Sequence, residues 1–207
     1  MQADWNLDPF PHAVVDGLFG TDVLDPVARD FPSPQTHGWK RYGTDHEVKL
    51  EGPPEMWSPA TQWYFHELAD MAPWLSELTG IPDLSMETVG GGYHLIPPGG
   101  YLEVHTDFNR SPHTGLHRRL NVLTYLNHGW ADDDGGHLEL WGDDGPEVVV
   151  APEFGRTVIF ATSDRSWHGH PKPTRRWRRS VAAYFFSPEP APGYVEDHST
   201  VWHPRGS

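Results

Sequence analysis

Twenty-one glycines and 21 prolines are spread along a chain of 207 residues. Proline lacks a backbone donor and glycine costs entropy inside a helix, so this punctuation leaves little room for long helices. It favours short strands joined by turns. From Thr88 onward, apolar stretches rich in β-branched and aromatic residues predict strands at Tyr93–Ile96, Tyr101–Val104, Leu120–Asn127, His137–Trp141, Glu147–Val150, Arg156–Ala161 and Ser180–Phe186. A turn at Pro97-Pro98-Gly99-Gly100 separates the first two. Strands at this spacing predict a mostly β, sandwich-like or jelly-roll fold.

Residues 1–56 read as irregular and proline-rich, with one short helix from Thr21, an N-cap candidate, to about Arg29. Ser58-Pro59 predicts a second helix start, a capping hydroxyl followed by proline at the first helical position. Its apolar positions Trp63, Phe65, Leu68, Ala69 and Ala72 form an approximate stripe, Pro73 interrupts it, and a further turn or two runs to Gly80-Ile81-Pro82. These helices are expected to cover one outer face of a sheet. No repeat, low-complexity tract or linker divides the chain, which predicts a single domain over residues 1–207. Within it, residues 1–87 are expected to be irregular and helical, 88–187 to form a β core, and 188–207 an extended surface tail.

Hydrophobic residues make up 37% and mean hydropathy is −0.59. No apolar run approaches the ~18 residues of a membrane span, and Met1-Gln2-Ala3-Asp4-Trp5 lacks the regions of a signal peptide, so a soluble, cytoplasmic protein is expected. A net charge of −14 disfavours nucleic acid and anionic membranes as partners. The run Arg175-Arg176-Trp177-Arg178-Arg179 is the one basic cluster, a candidate small-anion site. With no cysteine, any metal must be held by His, Asp or Glu.

His105-Thr106-Asp107 places two potential ligands on one side of a strand end. With 14 His and 17 Asp, about one such tripeptide is expected by chance, so the spacing alone carries no weight. Two histidines and one carboxylate on one face of a metal form the facial triad of non-haem iron oxygenases, which needs a second, distant histidine. Trp167-His168-Gly169-His170-Pro171 supplies it, with His168 and His170 as alternatives. Ten residues beyond His168 stands Arg178, with Arg179 as the alternative, and Ser180 two residues on along the same strand face. A buried arginine answers a carboxylate bidentately.

The chain from about Thr88 to Phe186 resembles the prolyl-hydroxylase-like branch of the Fe(II)/2-oxoglutarate dioxygenases. The matching blocks are Gly90-Gly91-Gly92-Tyr93-His94, Gly99-Gly100-Tyr101-Leu102-Glu103-Val104-His105-Thr106-Asp107-Phe108, Arg118-Arg119-Leu120-Asn121-Val122-Leu123-Thr124-Tyr125-Leu126-Asn127, Trp130, Gly135-Gly136-His137-Leu138-Glu139-Leu140-Trp141, Ala151-Pro152-Glu153-Phe154-Gly155-Arg156, Ser166-Trp167-His168-Gly169-His170-Pro171 and Arg178-Arg179-Ser180. The loop between the last two blocks is shorter than in close relatives, which leaves the pocket rim open.

The resemblance implies a double-stranded β-helix with its active site in the mouth. His105, Asp107 and His168 then correspond to the iron ligands, Arg178 to the co-substrate arginine and Tyr125 to a tyrosine on the same carboxylate. Strand alternation groups Asn121 and Leu123 with Tyr125, and Ser180, Ala182 and Tyr184 with Arg178. Tyr93 joins the co-substrate set, and His94 and Tyr101 are candidate lining residues. His113, His117, His128 and His137 read as turn or surface histidines, Asp132-Asp133-Asp134 as a solvated turn, and Arg175 and Arg176 as surface charges. The implied cofactors are Fe(II), 2-oxoglutarate and O₂, with ascorbate as a candidate reductant. The implied reaction is hydroxylation of an unactivated C–H in an amino acid, a peptidyl residue or a small biosynthetic intermediate. The carboxylate at Asp107, where related halogenases have a small residue, favours hydroxylation over halogenation. A cupin-like metal- or sugar-binding module is the non-catalytic alternative, and it has no use for a buried carboxylate clamp such as Arg178 with Ser180.

Overall fold

The computed structural model describes residues 3–204. In chain order its elements are β1 (His12–Asp16), α1 (Thr21–Arg29), β2 (Lys40–Gly43), β3 (Val48–Gly52), α2 (Pro59–Asp70), α3 (Ala72–Thr79), β4 (Ser85–Ile96), β5 (Leu102–Thr106), β6 (His117–Tyr125), β7 (Leu138–Gly142), β8 (Gly145–Val150), β9 (Arg156–Ala161), β10 (His168–His170), β11 (Arg178–Ser187) and β12 (Val201–Trp202). The strands form two antiparallel sheets. The larger has the order β1-β9-β6-β11-β4-β3-β2 and the smaller β12-β5-β10-β7-β8.

The long central strands bury both faces of the larger sheet, and alternation sorts their side chains. Leu120 and Val122 of β6 and Val181, Ala183 and Phe185 of β11 point to the helices, where Leu24, Tyr64, Phe65, Leu68 and Leu75 meet them in the main core. Each of the larger aliphatic and phenylalanine side chains among them contributes roughly 1.5–3 kcal/mol through its burial. The opposite face turns Tyr125, Val158 and Phe160 toward Leu138 and Leu140 of the smaller sheet. Ala182, Tyr184 and Phe186 cluster there too, with Phe108 and Leu123. The helices therefore cover one face of the larger sheet, as expected, and the smaller sheet covers the other.

Local chemistry explains the helix ends. Ser58 caps α2, its Oγ accepting from the Thr61 backbone N–H at 3.2 Å, with Pro59 at the first helical position. The first helix is capped by Gly20 instead of Thr21, which is its first helical residue. Pro73 does not end a helix but begins one: it occupies the first turn of α3, where its missing N–H costs nothing. Among the described residues no helix is long and apolar enough to cross a membrane.

Several expectations need correction. The proline-rich N-terminal region contains β1, β2 and β3, which extend the larger sheet at both edges. The strand expected from Tyr93 starts at Ser85, with Gly90 and Gly92 at positive φ where its register against β11 shifts. His168–His170, read as lying beyond a strand, is itself a strand between β5 and β7. The tail runs extended along the surface, and within it Val201 and Trp202 form an unexpected short strand paired with Thr106 and His105. Residues 1–2 and 205–207, included in the leader and tail expectations, lie outside the described residues.

Candidate active site

Pairing of β10 with β5 sets His168 directly opposite His105, their ring centroids 4.5 Å apart. Asp107 follows β5 immediately. Its Oδ1 lies 3.7 Å from His105 Nε2, and its Oδ2 lies 3.5 Å from His168 Nε2. One ligand atom from each of the three residues falls within 4.8 Å of the others. Gly169 lets the two strands come this close, because a Cβ there would stand 2.8 Å from the carbonyl oxygens of Leu102 and Glu103.

Hydrogen bonding decides which imidazole nitrogen faces inward. His105 Nδ1 lies 2.8 Å from the Glu103 carbonyl and His168 Nδ1 lies 2.8 Å from that of Ser166. A carbonyl only accepts, so each Nδ1 carries the proton and each Nε2 turns a lone pair toward Asp107. Burial pushes the His168 imidazole down to about 4, with the Asp107 charge opposing it, so the ring is neutral and ready to ligate. Burial alone would raise the Asp107 carboxyl, but Arg118 and the two histidines overcome it and hold it well below the usual range. Two inward lone pairs from buried histidines and one half-buried carboxylate fit a divalent cation with open coordination positions.

The carboxylate is oriented from the larger sheet. Asn121 Nδ2 donates to Asp107 Oδ2 at 2.8 Å, and Arg118 Nη2 lies 3.0 Å from the same oxygen. Arg118 Nε donates to Asn121 Oδ1 at 3.0 Å, and its guanidinium lies over the rings of Tyr184 and Phe108 at 3.5 and 4.6 Å.

Behind the triad a cavity of about 70 Å³ runs between the sheets, with Leu123, Leu138, His170, Arg178 and Ser180 in its wall. Arg178 is 4% exposed. Its Nε donates to the Gly136 carbonyl at 2.8 Å and Nη2 to the Tyr125 hydroxyl at 3.4 Å. Among the described residues no carboxylate lies within 4.0 Å of it, so a buried guanidinium faces the cavity without a counter-ion. Burial lowers its pKa, yet a guanidinium remains charged at neutral pH. An incoming carboxylate would supply the missing negative charge.

The structure brings His105, Asp107, His168, Arg178, Ser180, Leu123 and Asn121 to one cavity, with Tyr125 against Arg178. His170 lies in the cavity wall and is not part of the three-residue cluster. Arg179 points the other way, its guanidinium 5.7 Å from the Phe31 ring. Tyr93 is a correction: alternation in β4 turns it to the helix side, where it packs on Phe31 and bonds Thr61 Oγ1 at 2.6 Å. Its neighbour His94 faces the cavity instead. Tyr101 bonds the Thr44 carbonyl at 3.3 Å, away from the site. His128 stacks on Phe154, and Arg176 bonds Asp134 and the carbonyls of His128 and Gly129.

Two groups were not foreseen. Arg118 reaches the site because β6 pairs Phe186 with Arg118 and Phe185 with Leu120; the extra residue Arg119 is a bulge that flips the alternation. The β2–β3 hairpin lines the mouth with Lys40, Tyr42, Lys49 and Glu51, and the alternation in Val48-Lys49-Leu50-Glu51 is the signal that would have found it.

Two antiparallel sheets thus enclose two histidines and a carboxylate that could hold one metal ion, and beside them a buried arginine with no carboxylate partner among the described residues. Residues 91–187, just under half of the chain, match the model of the 2OG-Fe(II) oxygenase superfamily. Over 108 residues it is 29% identical to prolyl 3-hydroxylase sudestada1 of Drosophila melanogaster, a match covering 46% of this chain and 18% of that protein. This chain thus aligns with under a fifth of that relative's length. A Pseudomonas putida prolyl-4-hydroxylase shares the fold at a TM-score of 0.65 and 20% identity, covering 84% of this chain and 91% of that one. A Trichoplax adhaerens prolyl hydroxylase, solved with a hypoxia inducible factor peptide fragment, gives a TM-score of 0.66 at 18% identity, covering 84% and 83%.

Proposed function

We propose that the chain is a single Fe(II)/2-oxoglutarate dioxygenase domain, a double-stranded β-helix whose two sheets are the walls of the site, and that it hydroxylates an unactivated C–H of an amino acid, a peptidyl residue or a small biosynthetic intermediate. His105, Asp107 and His168 hold the iron, and Arg178, with Tyr125 and Ser180, holds the far carboxylate of 2-oxoglutarate. The observation that carries this reading is Arg178, a buried cation in the wall of the triad's cavity with no carboxylate partner among the described residues. A cupin-like binding module would have no use for it.

Iron with 2-oxoglutarate bound supplies activation of O₂, one oxygen going to the substrate as hydroxyl and the other to succinate as CO₂ leaves. The protein's own work is positional. Glu103 and Ser166 carbonyls hold the two imidazoles in the tautomer that presents Nε2. Asn121 and Arg118 keep the Asp107 carboxylate charged and aimed. Leu123 and Leu138 give the cavity an apolar stretch of wall, and a lower local polarity would strengthen a guanidinium–carboxylate pair there. With iron bound, the Asp107 carboxylate would fill a coordination position that a halide would need, which favours hydroxylation over halogenation.

The test is anaerobic titration of the metal-free protein with Fe(II) and 2-oxoglutarate, followed by the visible charge-transfer band, then admission of ¹⁸O₂ with mass-spectrometric detection of succinate. A band and labelled succinate are expected. A fully iron-loaded protein that gives neither contradicts the reading.

A further inference from the structure

The cavity outside the triad, about 290 Å³, is walled by the β2–β3 hairpin and by the tail strand β12. Cross-strand pairing sets Lys40 against Glu51 and Tyr42 against Lys49. All four side chains line the cavity, while Leu50 of the same hairpin turns into the main core. Lys40 Nζ lies 3.0 Å from Glu51 Oε1, the Tyr42 hydroxyl donates to Glu51 Oε2 at 3.2 Å, and Lys49 Nζ lies 2.8 Å from Glu47 Oε2. Glu51, Glu47 and Lys49 side chains are only 8%, 13% and 16% exposed. Each of these charges is already met by an opposite one within the wall, so the two pairs hold the wall in place without a net charge.

We propose, resting on the dioxygenase reading above, that this mouth binds a free α-amino acid as its zwitterion, the ammonium received by Glu51 and the carboxylate by Lys49. The wall balances Lys40 and Lys49 against Glu47 and Glu51, so it complements a ligand bearing both signs better than a cation or an anion alone. Bonding capacity remains on both partners. Each Glu51 oxygen accepts one bond from the wall and has a second lone pair, and Lys49 has three donors with one directed at Glu47. Lys49 and Glu51, two apart on one strand face, line the same cavity, so one small ligand can reach both. Burial and Glu51 push the Tyr42 hydroxyl up to about 12, so it stays a donor and keeps the carboxylate in place.

Size and polarity favour the free molecule over a peptide. Ligand pockets usually span roughly 300–1,000 Å³, and this one falls just below that range. Trp202 forms part of its wall, stacked on His46 at 4.7 Å and 10° and lying 5.2 Å from the His105 ring. The main chain of a peptide would set neutral amides against buried charges, which costs affinity.

The experiment measures succinate released by the iron-loaded protein with 2-oxoglutarate and O₂, alone and with each common L-amino acid, each N-acetyl amino acid amide, or a proline-containing peptide. At least one free amino acid should accelerate release, its capped derivative should not, and Glu51→Gln or Lys49→Met should cut the ratio of stimulated to unstimulated rate by about tenfold at subsaturating ligand. The comparison of free with capped ligands uses the unmodified protein and stands even if a variant fails to fold. Equal acceleration by capped forms, acceleration by the peptide alone, or none by any free amino acid overturns the proposal while succinate release without substrate leaves the dioxygenase reading intact. If the iron-loaded protein neither binds 2-oxoglutarate nor releases succinate, that underlying reading fails instead.

Discussion

Asn121 Nδ2 donates to Asp107 Oδ2 across 2.8 Å, so a strand of the larger sheet aims the carboxylate that follows β5 of the smaller one. Partners that orient a metal ligand typically contribute 10–100-fold to affinity. Asn121→Leu fills a similar volume without the donor. It should weaken iron binding by about tenfold or more, read by anaerobic competition with a chelator. An unchanged iron affinity would show that Arg118 alone suffices to hold Asp107.

His105→Ala, Asp107→Ala and His168→Ala should each bind little iron after anaerobic reconstitution, whereas His170→Ala should keep most of it, because only the first three converge. Metal analysis of the four proteins decides. An iron-free His170 variant beside an iron-loaded His168 variant would reverse the assignment.

Arg178→Ala removes a buried guanidinium able to form about two charge-assisted hydrogen bonds to 2-oxoglutarate, worth roughly 1.5–3 kcal/mol each. The affinity for 2-oxoglutarate should fall by on the order of a hundred-fold or more at full iron occupancy. Arg179→Ala, whose guanidinium lies over Phe31 on the other face, should leave it nearly unchanged. Titration of the charge-transfer band measures both, and equal losses would contradict the strand alternation.

Burial, reinforced by Lys49, pushes the His94 imidazole down to about 4 from its ordinary 6.5, with Glu51 opposing. The unfolded chain therefore binds the proton first as pH falls. Stability from the neutral ring is complete above about 6.5 and is lost toward about 4, by about 2 kcal/mol for a ring not wholly removed from water. Urea unfolding of the metal-free protein across that window should show the loss, and His94→Gln should flatten it. A variant with the unmodified protein's slope would assign the effect to other groups.

That His105, Asp107 and His168 come together beside Arg178 was legible from the ordered blocks of the resemblance, since two-apart spacing alone carried no weight, and strand alternation put Arg178 and Ser180 on one face. The helix starting after Ser58 was legible from a capping hydroxyl followed by proline. What escaped depends on distant pairing. β2, β3 and β12 are four, five and two residues long, and they are strands only because β4 and β5 offer them an edge. Arg118 escaped because a bulge at Arg119 reverses the alternation that was used to count faces. Tyr93 was misassigned although alternation was intact around it: Val181, its partner, points to the helices, and Tyr93 goes with it.

Gly169 has no chemistry of its own, yet it stands between two carbonyl oxygens where a methyl group cannot fit. A substitution there would force β10 off β5 and carry His168 away from His105 without altering any ligand. Mutational tolerance at this centre is thus governed partly by a hydrogen atom. A saturation screen scored on iron retention should find position 169 about as intolerant as the histidine before it, and a search for functional residues confined to reactive side chains would pass over it.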